Sequence, residues 1–123
     1  MNWLILPFRR CVDFQGRSRR MEYFSFHVAL GCLLGVCAGV VLVLEPSLST
    51  ATLQVCIGIM SLMVICALLP AVSLEVRRFH DLGLSGWYTL LNLIPIIGRP
   101  IALLCLFRKG TVGPNRFGKD PIE

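Results

Sequence analysis

Two long apolar runs dominate the chain and predict two membrane-spanning helices. Residues 24–44 carry no charged side chain apart from the titratable His27, and residues 52–74 carry none at all. About 20 helical residues cross the hydrocarbon core of a bilayer, so each run is long enough alone. A soluble protein with two buried helices is the alternative, but so short a chain has little polar surface to cover them. The first run also exceeds the apolar core of a cleaved signal peptide, so we expect it to remain as an anchor.

A third apolar run, residues 87–107, is interrupted at its centre. Residues 94–100 read Ile-Pro-Ile-Ile-Gly-Arg-Pro, which places two prolines and a glycine within a short stretch. Each proline removes a helix hydrogen-bond donor and clashes with the preceding turn. We therefore expect a hairpin of two short helices rather than one straight crossing. Arg99 would lie at its apex, with Glu45 as a counter-charge.

These runs predict an all-α fold, an integral membrane helical bundle with two full transmembrane helices and a Pro/Gly-broken third segment. We expect one membrane domain over residues 1–123. It is divided into a cytoplasmic or interfacial segment 1–23, transmembrane helices 24–44 and 52–74 (the second extending to about residue 82), the broken segment 87–107 and a tail 108–123. The opening MNWLILPFRR suits a short interfacial segment because its aromatic residues are followed by two arginines. A disordered start is the alternative.

The composition supports membrane insertion and gives no sign of a metal or cofactor. The chain is 55% hydrophobic and 15% charged, whereas a soluble domain has about 25% charged residues. Five of the six cysteines lie in apolar runs, and there is no CxxC pair or Cys/His cluster. We interpret the cysteines as small packing residues and expect no metal site, no cofactor and no disulfide framework.

The positions of lysine and arginine predict the orientation in the membrane. Basic residues occur in segment 1–23, in the connector 75–86 and in the tail 108–123, while the loop 45–51 has none. Short basic loops stay in the cytoplasm, so we expect a cytoplasmic N-terminus and an external 45–51 loop. If the third run doubles back, the C-terminus is also cytoplasmic, and every Lys and Arg except Arg99 lies on that side.

Three glycines in the first run, Gly31, Gly35 and Gly39, recur every four residues, and His27 continues their stripe. Glycines at this spacing let another helix approach closely. We expect the second run of the same chain to be that partner. The same face of another copy, giving a homo-oligomer, is the alternative.

Three charged stretches flank the apolar runs, at 14–24, 75–86 and 109–121. At helical spacing Arg77 can pair with Asp81, and Glu75 with Arg78. If the stretches meet, their arginines and carboxylates form one network that can also hold phosphate oxygens. The candidate polar or anion-binding cluster comprises Arg17, Arg20, Glu22, Arg77, Arg78, His80, Asp81, Asn115, Arg116 and Asp120.

The same stretches resemble a known family. The phrases GRSRRMEYF, RRFHDLGLSGWY followed by LIPIIG, and GTVGPNRFGKDP are similar to three signature blocks of small bacterial inner-membrane proteins grouped as domain of unknown function 805. The resemblance runs from Phe14 to Pro121. It departs from the family at Lys109, Val112 and Lys119, where proline is frequent, and at Arg99-Pro100, usually an apolar pair. It implies a bacterial inner-membrane location and no established activity.

Three classes of function fit these features. The first is a non-catalytic membrane protein whose basic cytoplasmic face binds anionic lipid headgroups or a partner protein. The second is a transporter or its accessory subunit, although the two clear spans carry no Asp, Glu, Lys or Arg for an ion relay. The third, an interfacial enzyme using His80 with Asp81, Asp13 or Glu22, has no supporting nucleophile or phosphate-loop motif. We favour the first, with no catalytic residues and no nucleic-acid partner.

Overall fold

The computed structural model describes residues 5–121, without the side chains of residues 95, 99, 102 and 106. The helices in chain order are α1 (Leu6–Arg9), α2 (Arg20–Leu44), a 3-10 helix (Glu45–Ser47), α3 (Thr50–Asp81), a second 3-10 helix (Gly86–Leu93) and α4 (Pro95–Phe107). No strand occurs in this part of the chain beyond a single bridge between Asn115 and Gly118. The predicted all-α class is confirmed, while the interfacial role of Trp3 concerns a residue outside the described ones.

Helices α2 and α3 expose apolar side chains along most of their length. Val43 is 78% exposed and Ile65 is 62% exposed, which is unlike a core helix of a soluble protein. Both helices are long and apolar enough to cross a membrane. Helix α3 is about 48 Å long, so it exceeds an apolar layer of about 30 Å. The predicted spans 24–44 and 52–74 lie within these two helices, and the last two turns of α3 extend beyond the second.

Helix α3 ends at Asp81, close to the predicted limit of about residue 82, and Gly83 forms its cap. Gly83 has a φ of +75°, in the left-handed region that glycine tolerates. The Gly83 N–H donates to the His80 carbonyl at 3.0 Å, and the Leu84 N–H donates to the Phe79 carbonyl at 2.9 Å. This pair of bonds is a Schellman cap, and it turns the chain sharply towards the third apolar segment.

The third apolar segment breaks once, immediately before Pro95. Ile94 is extended (φ −99°, ψ 104°), and Pro95 occupies the first position of α4, where a missing N–H costs nothing. Helix α4 then continues through Pro100. The expected apex at Arg99 is therefore wrong, because residue 99 lies inside α4. The predicted pairing of Arg99 with Glu45 involves the side chain of residue 99, which lies outside the described ones.

Both ends of this segment lie beside the same turns of α3. At its start, a Cβ added to Gly86 would stand 2.7 Å from Cγ1 of Val76. At its end, Arg78 Nε donates to the Cys105 carbonyl at 2.7 Å. The chain that leaves α3 at its C-terminus thus returns to α3 before the tail begins.

The bundle core lies where α2 begins and α3 ends. It consists of Tyr23, Phe26, Leu74, Phe79 and Cys105. By contrast, a Cβ added to the glycine stripe at Gly31, Gly35 or Gly39 would meet nothing within 4 Å. The expected packing of this stripe against the second run is wrong, because bulky aromatic residues at one end, rather than glycines, make the helix contacts. Packing against another copy stays a prediction.

Candidate functional site

The carboxylate of Asp81 joins the three charged stretches. Its Oδ1 accepts from Arg17 Nε at 2.9 Å, and its Oδ2 accepts from Arg78 Nη1. Its backbone carbonyl accepts from the Thr111 N–H at 2.8 Å. The segment before α2, the end of α3 and the tail therefore meet at one residue.

Arg17 and Arg78 are buried and donate to further acceptors of the tail. Arg17 Nη1 donates to the Gly113 carbonyl at 2.6 Å, and its Nη2 donates to the Thr111 carbonyl. Arg78 Nη2 donates to the Arg108 carbonyl. Arg17 is 5% exposed and Arg78 is fully buried. Both guanidinium groups thus act as internal cross-links rather than as surface charges.

A second buried pair joins α2 to α3. Arg77 Nη1 lies 3.3 Å from Glu22 Oε1, and Arg77 Nε donates to the Ser73 carbonyl at 3.3 Å. Burial raises the pKa of Glu22 even though Arg77 opposes this shift, and burial lowers the pKa of Arg77. Within the described residues Arg77 Nη2 has no hydrogen-bond partner. This pair fixes the relative position of the two helices at the cost of two desolvated charges.

The local ion pairs expected along α3 do not form. Asp81 pairs with Arg78 and Arg17 instead of Arg77, and Arg77 pairs with Glu22. Glu75 accepts a hydrogen bond from Asn92 Nδ2 of the second 3-10 helix. Apart from the i,i+3 pair of Arg78 with Asp81, these partners are distant in sequence, because the side chains are buried and need an acceptor or donor from a neighbouring segment.

His80 holds the tail against the end of α3. Its ring stacks on Phe117 with centroids 3.9 Å apart and planes 5° apart. Its Nδ1 lies 3.1 Å from the Gly16 carbonyl oxygen, and its own carbonyl accepts from Asn115 Nδ2 at 2.9 Å. Burial lowers the pKa of His80, and the charge of Arg116 acts in the same direction. A neutral ring that donates from Nδ1 to Gly16 fits these contacts.

The carboxylates proposed to orient a catalytic His80 have arginine partners instead. Asp13 lies 2.7 Å from Arg10, whose hydrogen bond lowers the pKa of Asp13. Glu22 pairs with Arg77, and Asp81 with Arg17 and Arg78. This arrangement builds a stable corner, and among residues 5–121 it provides no carboxylate that forms an acid–base dyad with the imidazole.

The remaining predicted residues of the tail stabilise its fold. Asn115 and Gly118 exchange two backbone hydrogen bonds of 3.0 Å across a tight turn. Arg116 donates to the Gly83 carbonyl at 3.1 Å and lies over the Phe117 ring. Asp120 Oδ2 accepts from the Gly113 N–H at 2.9 Å. Of the ten predicted cluster residues, Arg20 and Arg116 are exposed, and Arg20 stands at the start of α2.

Ser73 belongs to this network but was not predicted from the sequence. Ser73 Oγ lies 2.8 Å from the carbonyl oxygens of both Arg10 and Asp13, which attaches α3 to the N-terminal segment. A hydroxyl at the end of an apolar run, four residues before Arg77, was the available signal. Among the described residues no group of three or more His, Cys, Asp or Glu side chains is placed to hold a metal ion.

The family model described as "Protein of unknown function (DUF805)" matches residues 11–119 of the chain. The chain belongs to this family. Inner membrane protein YhaI of Escherichia coli (strain K12) is 33% identical over 122 residues, covering 98% of this chain and 96% of the relative. Inner membrane protein YhaH of the same strain is 35% identical over 124 residues, covering 98% and 97%. No solved structure matches.

Membership of DUF805 agrees with the exposed apolar surfaces of α2 and α3 and shows a membrane protein. It also agrees with the resemblance seen in the three charged stretches. The geometry corrects one part of the site prediction for this DUF805 chain. Arg17, Arg77 and Arg78 are buried among protein partners, so they have no exposed donor for a phosphate oxygen.

Proposed function

We propose that this protein is a non-catalytic protein of the bacterial inner membrane whose basic cytoplasmic face binds anionic lipid headgroups. The observation that carries the proposal is the contrast between one set of buried and one set of exposed basic residues, with Arg10 and Arg19 half-buried between them. Arg17, Arg77 and Arg78 are buried in ion pairs. The exposed set consists of Arg9, Arg20, Arg108, Lys109, Arg116 and Lys119.

The ion pairs of the buried arginines hold together the segments that carry the exposed basic residues. The bond between Arg17 and Asp81 ties the segment before α2 to the end of α3, and the bond between Thr111 and Asp81 adds the tail. The exposed cations belong to these same segments. Positive charge flanking transmembrane helices favours the cytoplasmic side, where the leaflet surface is rich in anionic lipid.

The chain also has the charge that such binding requires. Its formal net charge is +5 at pH 7. Each Lys or Arg close to an anionic leaflet contributes about 1 kcal/mol of attraction. The loop at the opposite end of α2 and α3 contains Glu45 and no basic residue, so attraction is confined to one end.

Lipid selectivity tests this proposal. The full chain is placed in nanodiscs containing equal amounts of phosphatidylglycerol and phosphatidylcholine, and native mass spectrometry identifies the lipids that remain bound on release. We expect enrichment of phosphatidylglycerol that declines as ionic strength rises, because exposed charges are screened. Equal retention of the two lipids at low salt would refute the proposal.

Substitution of Arg77 or Arg78 is unsuitable for this test. Both side chains are fully buried, so removing either one would destabilise the fold. A loss of lipid binding in such a variant would then report misfolding rather than a lost lipid contact. A suitable variant replaces Arg9, Arg108 and Lys119 by Gln. These side chains are exposed, so we expect reduced phosphatidylglycerol enrichment with an unchanged unfolding transition.

A further inference from the structure

A cavity of about 320 Å³ opens between the start of α2 and the tail. Its lining includes three basic side chains, two carboxylates and a stretch of tail backbone, namely Arg19, Arg20, Lys109, Asp81, Asp120 and residues 110–112. This volume lies at the lower end of the range for small-ligand sites, about 300–1,000 Å³. The cavity is large enough for a phosphate group and its ester substituents.

Three basic side chains against two carboxylates give the lining of the cavity an excess of positive charge, and both carboxylates also accept hydrogen bonds from groups outside this set. Asp81 accepts from Arg17 and Arg78, and Asp120 accepts from the Gly113 N–H. Between residues 5 and 121, no ion pair involves Arg20 or Lys109. The cavity therefore presents two cations without carboxylate partners in that part of the chain, and it favours an anion.

The position of the two cations suits a lipid better than a soluble anion. Arg20 is the first residue of α2, and Phe24 and Val28 follow at intervals of one helical turn on the same face. Phe24 and Val28 are each 44% exposed. Lys109 follows the end of α4 at Phe107. Both cations thus stand where an apolar helix surface ends, at the depth of lipid headgroups.

We propose that this cavity binds the phosphate of an anionic glycerophospholipid between Arg20 and Lys109, with an acyl chain along Phe24 and Val28. The inference rests on the proposed function and assigns it to a defined site. Arg20 supplies forked donors that match phosphate oxygens, and Lys109 supplies a point charge. The apolar face below Arg20 distinguishes the lipid from free phosphate, which has no group to contact it.

The test uses soluble dihexanoyl-phosphatidylglycerol with the full chain in a neutral detergent. The variant Arg20→Gln/Lys109→Gln removes the two proposed contacts, and Arg9→Gln/Arg108→Gln removes the same charge from exposed positions that do not line the cavity. We expect the first variant to weaken binding about 30-fold. The second variant should change it only a few-fold, since neither of its side chains lines the cavity and both are exposed to solvent.

Two further measurements distinguish a phospholipid from inorganic phosphate as the ligand and test the role of the apolar face. Inorganic phosphate should compete poorly with the lipid, and Phe24→Ser should weaken binding of the lipid but not of inorganic phosphate. If inorganic phosphate displaces the lipid at equal concentration, the lipid assignment is wrong. Unchanged unfolding transitions in all variants ensure that lost binding is not lost folding.

Failure of this inference can be told apart from failure of the proposed function. If the wild type prefers phosphatidylglycerol in nanodiscs but the two charge variants weaken single-lipid binding equally, the basic face binds lipid and the cavity does not. If the wild type shows no preference at all, both proposals fall.

Discussion

Gly110 lies against the carboxylate of Asp81. A Cβ added to Gly110 would stand 2.5 Å from Cγ of Asp81 and closer still to its Oδ2. The carboxylate cannot retreat easily, because Arg17 and Arg78 hold it from other directions. At position 110 the tail can therefore lie this close to Asp81 only because the residue has no side chain.

Gly110→Ala should destabilise the fold by displacing either the tail or the Asp81 carboxylate. Overpacking a filled site costs about 1–3 kcal/mol. The measurement is the free energy of unfolding in mixed micelles, followed by tryptophan fluorescence during titration with sodium dodecyl sulfate. Gly58→Ala is the matched control, because a Cβ at that helical position meets nothing within 4 Å. Equal stability of the two variants would contradict the close contact.

Asp81→Asn should be more damaging than any substitution of an exposed charge. It leaves two buried guanidinium groups without their shared carboxylate, and breaking a buried ion pair costs about 3–5 kcal/mol. We expect loss of the folded form or a large drop in the same unfolding measurement. Asp13→Asn removes a half-exposed pair with Arg10 and should cost less than about 1 kcal/mol. Similar effects of both substitutions would show that Asp81 is not the central link.

The sequence was sufficient to predict the two long apolar helices, the end of α3 and the meeting of the three charged stretches. Charge-free runs long enough to cross a bilayer are a strong signal because hydrocarbon excludes unpaired charge. Gly83 was recognisable because a helix end needs a residue that tolerates positive φ. In both cases one local physical requirement determines the structure.

The ion-pair partners and the glycine stripe could not be predicted in the same way. The spacing of Arg77 and Asp81 permits a local pair, but burial made partners from other segments decisive. The spacing of Gly31 and Gly35 permits close helix contact, yet Tyr23 and Phe26 form the contacts at the other end of α2. Helical periodicity gives the face of a residue, whereas its partner depends on tertiary packing.

The docking of the tail should weaken as the pH falls below about 6.5. Because burial lowers the pKa of folded His80 below its ordinary value of 6.5, the unfolded state binds a proton first on acidification. The contribution of His80 is therefore complete above pH 6.5 and is lost as the pH falls towards the folded pKa. Asp13 cannot mimic this effect, because its pKa is lowered from 3.8 and it stays ionised in this range.

His80→Gln provides the comparison for this pH dependence. Glutamine can still donate to the Gly16 carbonyl but does not titrate, and it loses the stacking on Phe117. We expect it to be less stable than the wild type at pH 7.5, with a smaller difference between the two proteins at pH 5.5. Glu75, whose pKa burial raises to about 7, titrates in both proteins and so does not contribute to that difference. The measurement is the unfolding midpoint of both proteins at the two pH values. The same change of midpoint with pH in both proteins would show that His80 is not held neutral.

The tail should lie on the same side of the membrane as the segment before α2. Two spans joined by a short turn at Glu45–Ser47 bring the start of α2 and the end of α3 to one side. The bonds from Arg17 to Asp81 and from Thr111 to Asp81 then require the tail to be there too.

A green fluorescent protein fused after residue 123 should fluoresce, since it matures in the cytoplasm, and alkaline phosphatase at the same point should be inactive. Phosphatase inserted in the 45–51 loop should be active. Active phosphatase at the C-terminus would mean that residues 87–107 cross the membrane once, and the bonds to Asp81 would then be impossible in the inserted protein.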